Sequence, residues 1–380
     1  MHEPRTITEI ASPSAPMSSA SDLLTVNYSA ETLRIFCRQL LIALGTADSH
    51  ARLVADSLVG ANLRGVDSHG IQMLATYIQQ LRAGGINVPA AGRVVREDGV
   101  CLRYDGQNGL GQVVADQCTD HAIRIARALG VAVVVTSHSN HFGAGAWWGE
   151  KIARAGYIGI VMSNACPAVA PWQGKTAMLG TNPLCVAVPS RGGAGRWLLD
   201  MATTTVALGK LTNAAHLNRT TIPAEWGFLD AERKVTTSTA AAIRGINGAP
   251  YPSPLGGYKG SALAMMVEIL CSGLSGGAMA TELPVYRTGG VPLGISHTFI
   301  AIDPARFLAQ GEFEGRVDRL AELVKAAEPA PGYNEVMLAG EPEWRCARQR
   351  EQAGIPVPVK LWQQLTTIAG ELKITPPRPD

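Results

Sequence analysis

The stretch SHSNHFGAGAWWGEKIARAGYIGIVMSN (residues 137–164) follows the run VAVVV (131–135) and leads, after a short gap, to GTNPLCVAV (180–188). Its reading decides the fold. Val131 to Val135 is an unbroken β-branched and alanine run that suits a strand buried on both faces. Thr136 to Phe142 is a polar loop. Gly143-Ala-Gly145 opens a helix through Ala155, and Gly156 suits the position after its last turn. Tyr157 to Met162 reads as the next buried strand. Both histidines, His138 and His141, then sit where a strand exits its sheet, the usual place for ligands in such architectures.

Working outward, Ser29 to Leu44 and Ala47 to Leu63 carry apolar residues at three and four spacing, with Ser29 and Asp48 as N-caps. Tyr77 to Arg82 continues the helical pattern until Ala83-Gly-Gly-Ile-Asn-Val-Pro89 breaks it. Val94 to Tyr104 reads as strand and Ala115 to Leu129 as helix, so strands and helices alternate in an α/β core. Residues 190–257 read as long connections. Ser261 to Gly276 is an apolar run of about sixteen residues interrupted by Glu268, too short to span a bilayer and read as a buried helix. Arg316 to Ala327 is amphipathic, with Val317, Leu320, Leu323 and Val324 on one side. Val359 to Leu372 forms a last helix that packs back on the N-terminal unit. The division expected is a flexible extension over 1–24, a helical cap over 25–90, a cofactor-binding and catalytic core over 91–350, and the C-terminal helical segment over 351–380.

At 380 residues, 46% apolar and 17% charged, the chain can bury a large core. A formal charge of +2 spread without basic runs gives no reason to invoke nucleic acid or a membrane surface, and small-molecule partners become the expectation. Seven scattered cysteines without a CxxC pair suggest reduced thiols and a cytoplasmic setting. The N-terminus lacks the basic start and apolar core of a secretory signal.

Each motif carries a chemical reading beside a structural one. Gly143-x-Gly145-x-x-x-Gly149 is one residue too long for a dinucleotide fingerprint and too far from its strand, so a standard Rossmann assignment is rejected. Its glycines can bring backbone amides to a phosphate at a helix N-terminus, or simply allow close packing. His138 and His141 lack the acidic or cysteine neighbours of a metal site, and no HExxH occurs, so no metal is expected. His141 suits proton transfer. Asp67-Ser68-His69-Gly70 can expose a proton relay, or form a capping turn in which Asp67 and Ser68 bond backbone amides. Pro254-Leu-Gly-Gly-Tyr-Lys259-Gly260 sets a cation at a helix start without P-loop spacing. Asp200-Met-Ala-Thr203-Thr204 and Gly340-Glu341-Pro342-Glu343 can offer polar groups to a nucleotide, or be ordinary turns.

Taken together and in this order, RGVDSHG, Gly111-Gln112, SNHFGAG, LGTNP, LDMATT, LGGYKG and AGEPE resemble the malate/L-lactate dehydrogenase family. That group includes ureidoglycolate, sulfolactate and Δ1-piperideine-2-carboxylate oxidoreductases and is unrelated to Rossmann-type lactate dehydrogenases. The resemblance runs from Ser29 to Arg350. It implies an α/β, non-Rossmann, NAD(P)-binding mixed-sheet core with a helical N-terminal cap joined by the C-terminal helix, and a homodimer with active sites near the subunit interface. By the same resemblance His141, His69 and Ser68 are catalytic. His141, Phe142, Gly143, Ala144, Gly145, Thr181, Asn182, Pro183, Asp200, Met201, Ala202, Lys259, Gly340, Glu341 and Pro342 are similar to cofactor contacts. Lys210, Met73 and Trp147 are the candidates for substrate contact.

Two departures stand out. Met73 occupies the position of an arginine that clamps a substrate carboxylate in the family. Ala165 stands where some members have a serine, and Lys210 where relay-type members carry an acid, so Lys210 is a candidate for replacing the lost arginine's charge. The implied activity is NAD- or NADP-dependent hydride transfer between nicotinamide and a small 2-oxo or 2-hydroxy acid. Alternatives are a cyclic imine carboxylate reductase, a non-catalytic dinucleotide-binding protein, or a pyridoxal phosphate enzyme with Lys259 as Schiff base. Arg345 and Arg348 are candidates for a 2′-phosphate partner or for surface charges.

Overall fold

The structure, a computed structural model, describes residues 24–191, 197–246, 248–284 and 289–379. The expected N-terminal extension, apart from Leu24, lies outside the described residues. In chain order the elements are β1 (Thr25–Tyr28), α1 (Ala30–Ala43), α2 (Asp48–Leu63), α3 (Leu74–Arg82), β2 (Arg93–Asp98), β3 (Cys101–Asp105), α4 (Gly111–Leu129) and β4 (Val131–Ser139). They continue through α5 (Gly145–Arg154), β5 (Ile158–Ser163), β6 (Leu184–Ala187), β7 (Leu198–Met201), α6 (Leu208–His216), α7 (Thr239–Arg244) and α8 (Tyr258–Glu268). Last come β8 (Ile295–Ile302), α9 (Glu312–Lys325), α10 (Glu341–Ala353), β9 (Ile355–Pro358) and α11 (Val359–Glu371).

Ser29 caps α1 as expected, its hydroxyl accepting the Thr32 N–H at 3.1 Å. Asp48 is not a cap: it is the first helical residue of α2, behind Ala47, and its carboxylate takes the Arg38 guanidinium of α1 at 2.6 Å. An acid in a first helical turn is favoured there by the helix dipole. The Val94–Tyr104 run is two strands, β2 and β3, folded back at Gly99, whose φ of 57° suits glycine.

The main sheet has the order β2-β3-β4-β8-β5-β6-β7. Only β3 and β4 pair in parallel; every other pairing is antiparallel. The strand, helix, strand unit read from residues 131–162 is present, yet β4 and β5 are not neighbours. β8, arriving over a hundred residues later, lies between them, and nearly all of it is buried. Its His297 faces Thr136 of β4 and Ser163 of β5. This imidazole is held at both ends, Nε2 against the Ser139 hydroxyl and Nδ1 against the Ser163 hydroxyl, each at 2.9 Å.

Two large apolar clusters flank the site. In one, Leu33, Phe36, Leu40, Val54, Leu58 and Ile78 of the first three helices meet Leu361, Leu365 and Ala369 of α11. Trp362 stacks on Tyr28 at 4.1 Å between ring centres, and β1 pairs antiparallel with β9. Each fully buried Leu or Phe stabilises by roughly 1.5–3 kcal/mol, enough for these contacts to fasten the chain's end to its beginning. In the other, Val114, Cys118 and Ala122 of α4 and Trp148 and Ile152 of α5 cover Val134 and Phe299 of the sheet.

Three expectations need amending. Residues 190–257 hold β7, α6 and α7 rather than connections alone. The apolar run at 261–276 is helical only to Glu268 and then widens into a π turn, Ile269–Gly273; Val267 and Cys271 pack there against Met162. No helix among the described residues is long and apolar enough to cross a membrane. Finally, Leu320 and Leu323 of α9 are exposed, so its apolar side is not buried within the single chain.

Candidate active site

Two adjoining cavities open between the helical layer and the ends of the strands. The larger, about 760 Å³, is faced by Ser68, His69 and Met73 from the segment after α2 and by His141, Gly143, Ala144 and Gly145 from the β4 exit. Thr181, Pro183, Asp200, Met201, Ala202 and Lys210 complete its expected lining. The smaller, about 270 Å³, is faced by Trp147, Gly340 and Pro342. Arg64, Val66, Ala144, Asp200 and Glu343 line both.

The Asp67–His69 segment is a tight 3-10 turn held from below. Asp67 accepts both Arg350 guanidinium nitrogens, at 2.7 and 3.0 Å, and the Asn62 side-chain amide at 2.6 Å. Asn62 Oδ1 in turn accepts the Ile71 N–H at 2.8 Å. A Cβ on Gly70 would lie 2.2 Å from that oxygen, so only glycine fits. Asp67 therefore anchors the turn through an arginine of α10 rather than by capping it. Ser68 Oγ is 2.9 Å from His69 Nδ1. Gln72 donates to the carbonyls of Ser68 and Gly209, and Gly209 leaves room for the close approach of α6 that brings Lys210 to the cavity.

Replacing Arg350 by leucine leaves a largely buried carboxylate without its countercharge. We expect this to cost about 2–4 kcal/mol of stability, below the full value for a buried pair because both side chains keep some solvent contact. Urea unfolding checks it, and a change below about 0.5 kcal/mol, the range of ordinary surface substitutions, would remove Arg350 from this role.

His141 leaves β4 on a loop fixed by Asn140, whose amide donates to the carbonyls of Asn108 and Gly109. The His141 Nδ1 atom accepts from Tyr77 Oη at 2.7 Å and from the Gly143 N–H at 3.3 Å, while Gln112 donates to Tyr77 Oη at 3.0 Å. The rings of His69 and His141 stack with centres 5.5 Å apart. Burial brings the His69 pKa down to about 4; burial first, and then the neighbouring His69 and His297, bring that of His141 down to about 3. Both rings are neutral at neutral pH.

Asp200 sits at the start of α5, where its carboxylate accepts the Ala146 N–H at 2.8 Å and where a Cβ on Gly145 would come within 3.1 Å of it. Burial raises its pKa to about 6 against the opposing pull of that hydrogen bond. The helix N-terminus that the glycines suggested as a phosphate cradle is thus already answered by a side chain of this protein. Gly149 serves packing: a Cβ there would lie 2.7 Å from Cys185 Sγ.

Several expected contacts face neither cavity. Phe142 is buried and stacks parallel on His297 at 4.5 Å. Asn182, with φ 33°, turns its side chain inward, accepting from Ala165 N and donating to Ala264 O and Glu268. Lys259 is exposed beside the Tyr258 ring, which removes the reason for a Schiff-base role. Glu341 is engaged by Lys325 and Arg345 and by the Leu338 N–H. Phe142 and Asn182 fit a positioning role rather than contact with a ligand. Trp147, a candidate for substrate contact, packs over Gly60 and lines the smaller cavity rather than the larger one that the histidines face. His138 is exposed and bonded to Asp105, and no group of three metal-ligating side chains occurs among the described residues.

The sequence reading missed Tyr77, Gln72 and Arg219, and named Glu343 only within the Gly340–Glu343 turn. Tyr77 lies four residues beyond Met73, one helical turn along the same face, which was a signal available in the sequence. Arg219 had none.

Comparison with known proteins identifies the family. The family model described as malate/L-lactate dehydrogenase matches residues 28–366. The chain belongs to the malate/L-lactate dehydrogenase family. Among its relatives, a malate dehydrogenase of Pyrococcus abyssi is 34% identical over 90% of this chain and 94% of its own. An L-sulfolactate dehydrogenase of Methanocaldococcus jannaschii is 36% identical over 88% and 93%. The solved malate dehydrogenase of Pyrococcus horikoshii OT3 superposes with a TM-score of 0.84 at 31% identity, covering 96% of this chain and 99% of that one. The mixed α/β fold is the fold of this family.

Proposed function

We propose that this chain is an NAD(P)-dependent oxidoreductase that interconverts a small 2-hydroxy acid and the corresponding 2-oxo acid. The observation that carries the reading is the facing pair His69 and His141, both neutral and both on the wall of one cavity. A dinucleotide suits the joined cavities. Gly143, Gly145 and Gly340 offer walls without side chains, and the Asp200 carboxylate, which lines both cavities, offers an acceptor for ribose hydroxyls. Gly143 to Gly145, Thr181, Pro183 and Asp200 to Ala202 would hold one half and Gly340 and Pro342 the other. When bound, the nicotinamide supplies or accepts the hydride at its C4.

The chain's own residues do the remaining work. Because the Gly143 N–H and Tyr77 O–H both point at His141 Nδ1, the neutral ring carries its proton on Nε2 and donates from there. His141 thereby acts as a fixed hydrogen-bond donor to the substrate oxygen. The hydrogen-bond partner of His69 among the described residues is the Ser68 hydroxyl, which can donate or accept. With its own proton on Nδ1 and donated to that hydroxyl, the ring leaves Nε2 free to take the substrate hydroxyl proton during oxidation, becoming imidazolium, and the imidazolium returns a proton during reduction. Ser68 positions that ring. Homodimer formation belongs to the same reading, supported by the exposed Met265, Ile269 and Leu274 on α8 and the turn beyond it. A cytoplasmic setting is supported by seven unpaired thiols.

Met73 is buried and apolar where the family's arginine is expected. Lys210 and Arg219 line the same cavity and have no carboxylate partner among the described residues; Lys210 lies 6.0 Å from the Trp226 ring. We assign the substrate carboxylate to Lys210. Lys210→Met is then expected to raise KM for a 2-oxo acid by about tenfold or more, the loss of ~1.4 kcal/mol of binding, with a smaller effect on kcat. An unchanged KM would remove Lys210 from that role. The reading as a whole is tested by following NADH and NADPH oxidation with a panel of 2-oxo acids and cyclic imine carboxylates. Turnover of oxo acids supports it, turnover of cyclic imines alone moves the chain to imine reduction, and nucleotide binding without turnover favours a binding protein.

A further inference from the structure

We propose that the site selects NAD(H) over NADP(H), with the Glu343 carboxylate as the group that accepts from the adenosine ribose and turns away a 2′-phosphate. This rests on the dinucleotide reading of the two cavities. The histidine pair belongs to the larger cavity, so the adenosine half falls to the smaller one, whose walls at Trp147, Leu198, Leu199 and Leu338 are apolar and suit a purine ring.

The charged side chains facing that smaller cavity are Arg64, Glu150, Asp200 and Glu343. Arg64 and Glu150 face each other at 3.4 Å with only 12% and 13% of their side chains exposed, and Glu150 also takes Arg154 at 3.1 Å. Arg64 is the one guanidinium facing this cavity, against three carboxylates, Glu150, Asp200 and Glu343. Burial first, and then the Glu343 charge, make Asp200 harder to ionise, while the Ala146 N–H and the Arg64 charge oppose them, so Arg64 and Glu343 both lie near Asp200. Glu343 lies in the first turn of α10.

The arginines that the sequence offered to a 2′-phosphate, Arg345 and Arg348, stand away from the cavities. Arg345 gives both of its terminal nitrogens to Glu335 and also contacts Glu341, and neither Arg345 nor Arg348 lines either cavity. A phosphomonoester carries about −1.5 to −2 charges at pH 7. Placed against Glu343 and Asp200 it would meet like charge, with Arg64 the single cation facing this cavity and already set against Glu150 and Asp200. A ribose 2′-hydroxyl in the same place donates to a carboxylate, the usual device for recognising the non-phosphorylated cofactor.

The test is calorimetric titration of the full chain with NADH and with NADPH in the absence of substrate, for wild type, Glu343→Gln and Arg345→Met. Wild type is expected to bind NADH at least about tenfold more tightly than NADPH. Glu343→Gln is expected to shrink that ratio by about threefold or more, chiefly by tightening NADPH, since it removes the repulsion and keeps a polar side chain. Arg345→Met leaves the ratio unmoved. Equal or tighter binding of NADPH by wild type, a ratio unaffected by Glu343→Gln, or a selective loss of NADPH in Arg345→Met would each overturn the proposal while leaving the dinucleotide site in place. Binding of neither nucleotide would bring down the dinucleotide reading itself, and this proposal with it.

Discussion

His69→Ala is expected to lower kcat/KM for 2-hydroxy acid oxidation by about 10²–10⁴-fold, the usual contribution of a positioned general base, with dinucleotide binding retained. His141→Ala is expected to cost about 10²–10³-fold, the usual loss for one donor aimed at a reacting oxygen. His141→Gln, which can still offer an N–H, should recover part of that. The difference follows from their partners: Nδ1 of His141 is pinned by two donors, whereas Nδ1 of His69 meets a hydroxyl of either polarity. The pH profile follows from burial. With its pKa brought down to about 4, His69 remains an unprotonated base through the whole neutral and mildly acidic range. Oxidative kcat/KM should therefore not break near 6.5, where an exposed histidine would protonate, but hold until the pH approaches 4. A break at 6.5 in wild type, or an unaltered rate in His69→Ala, would contradict the assignment.

The second large effect is on stability. His297→Ala removes a ring buried between β4 and β5, takes one of the hydrogen bonds from each of the Ser139 and Ser163 hydroxyls, which keep the Asn140 and Asn164 carbonyls, and takes away the surface on which Phe142 stacks. A cavity of that size together with two lost hydrogen bonds should cost about 3–5 kcal/mol. Because Phe142 directly follows His141, the same variant should lose activity before it loses its fold. The buried His297 and the partly buried His69 and His141 also make the fold acid-sensitive. Their folded pKa values are depressed, to about 4 for His69 and about 3 for His141 and His297, whereas the unfolded chain protonates them near 6.5. Below 6.5 the unfolded state binds more protons, so stability present at neutral pH is lost as pH falls towards 4. The slope is at most about 4 kcal/mol per pH unit for the three together. Calorimetric Tm values at pH 7.5 and 5.0 check it, and His297→Ala should show a shallower fall. A Tm level across that interval would contradict the burial argument.

Much of the site was legible before the structure. The buried run ending near Thr136, the glycines after His141 and the Ser68-His69-Gly70 turn are local features, and local sequence specifies them: the turn needs Gly70 because Asn62 leaves no room for a Cβ. What the sequence could not yield is long-range. Nothing in residues 131–163 announces that a strand at 295–302 will separate β4 from β5, because register between distant strands is set by burial of both partners at once. Asn182 and Phe142 looked like ligand contacts, since a polar or aromatic side chain in a glycine-rich loop has the same sequence appearance whether it faces a cavity or the core. Lys210 and Arg219 come from a region of weak periodicity, and only the close packing of Gly209 on Ser68 brings that helix to the cavity. Arg345, which in the sequence reads equally as a 2′-phosphate partner or as a surface charge, is neutralised in the fold by Glu335 and Glu341.

The central claim is that a nicotinamide cofactor and a 2-oxo acid meet beside His69 and His141. The most direct measurement is turnover with NADH deuterated at C4, using each C4 face in turn, and analysis of the product by NMR. The account predicts deuterium on the carbon that bears the new hydroxyl, from one face only, with transfer abolished in His69→Ala. Product formed without deuterium at that carbon from either face, or transfer undiminished in His69→Ala, would contradict it.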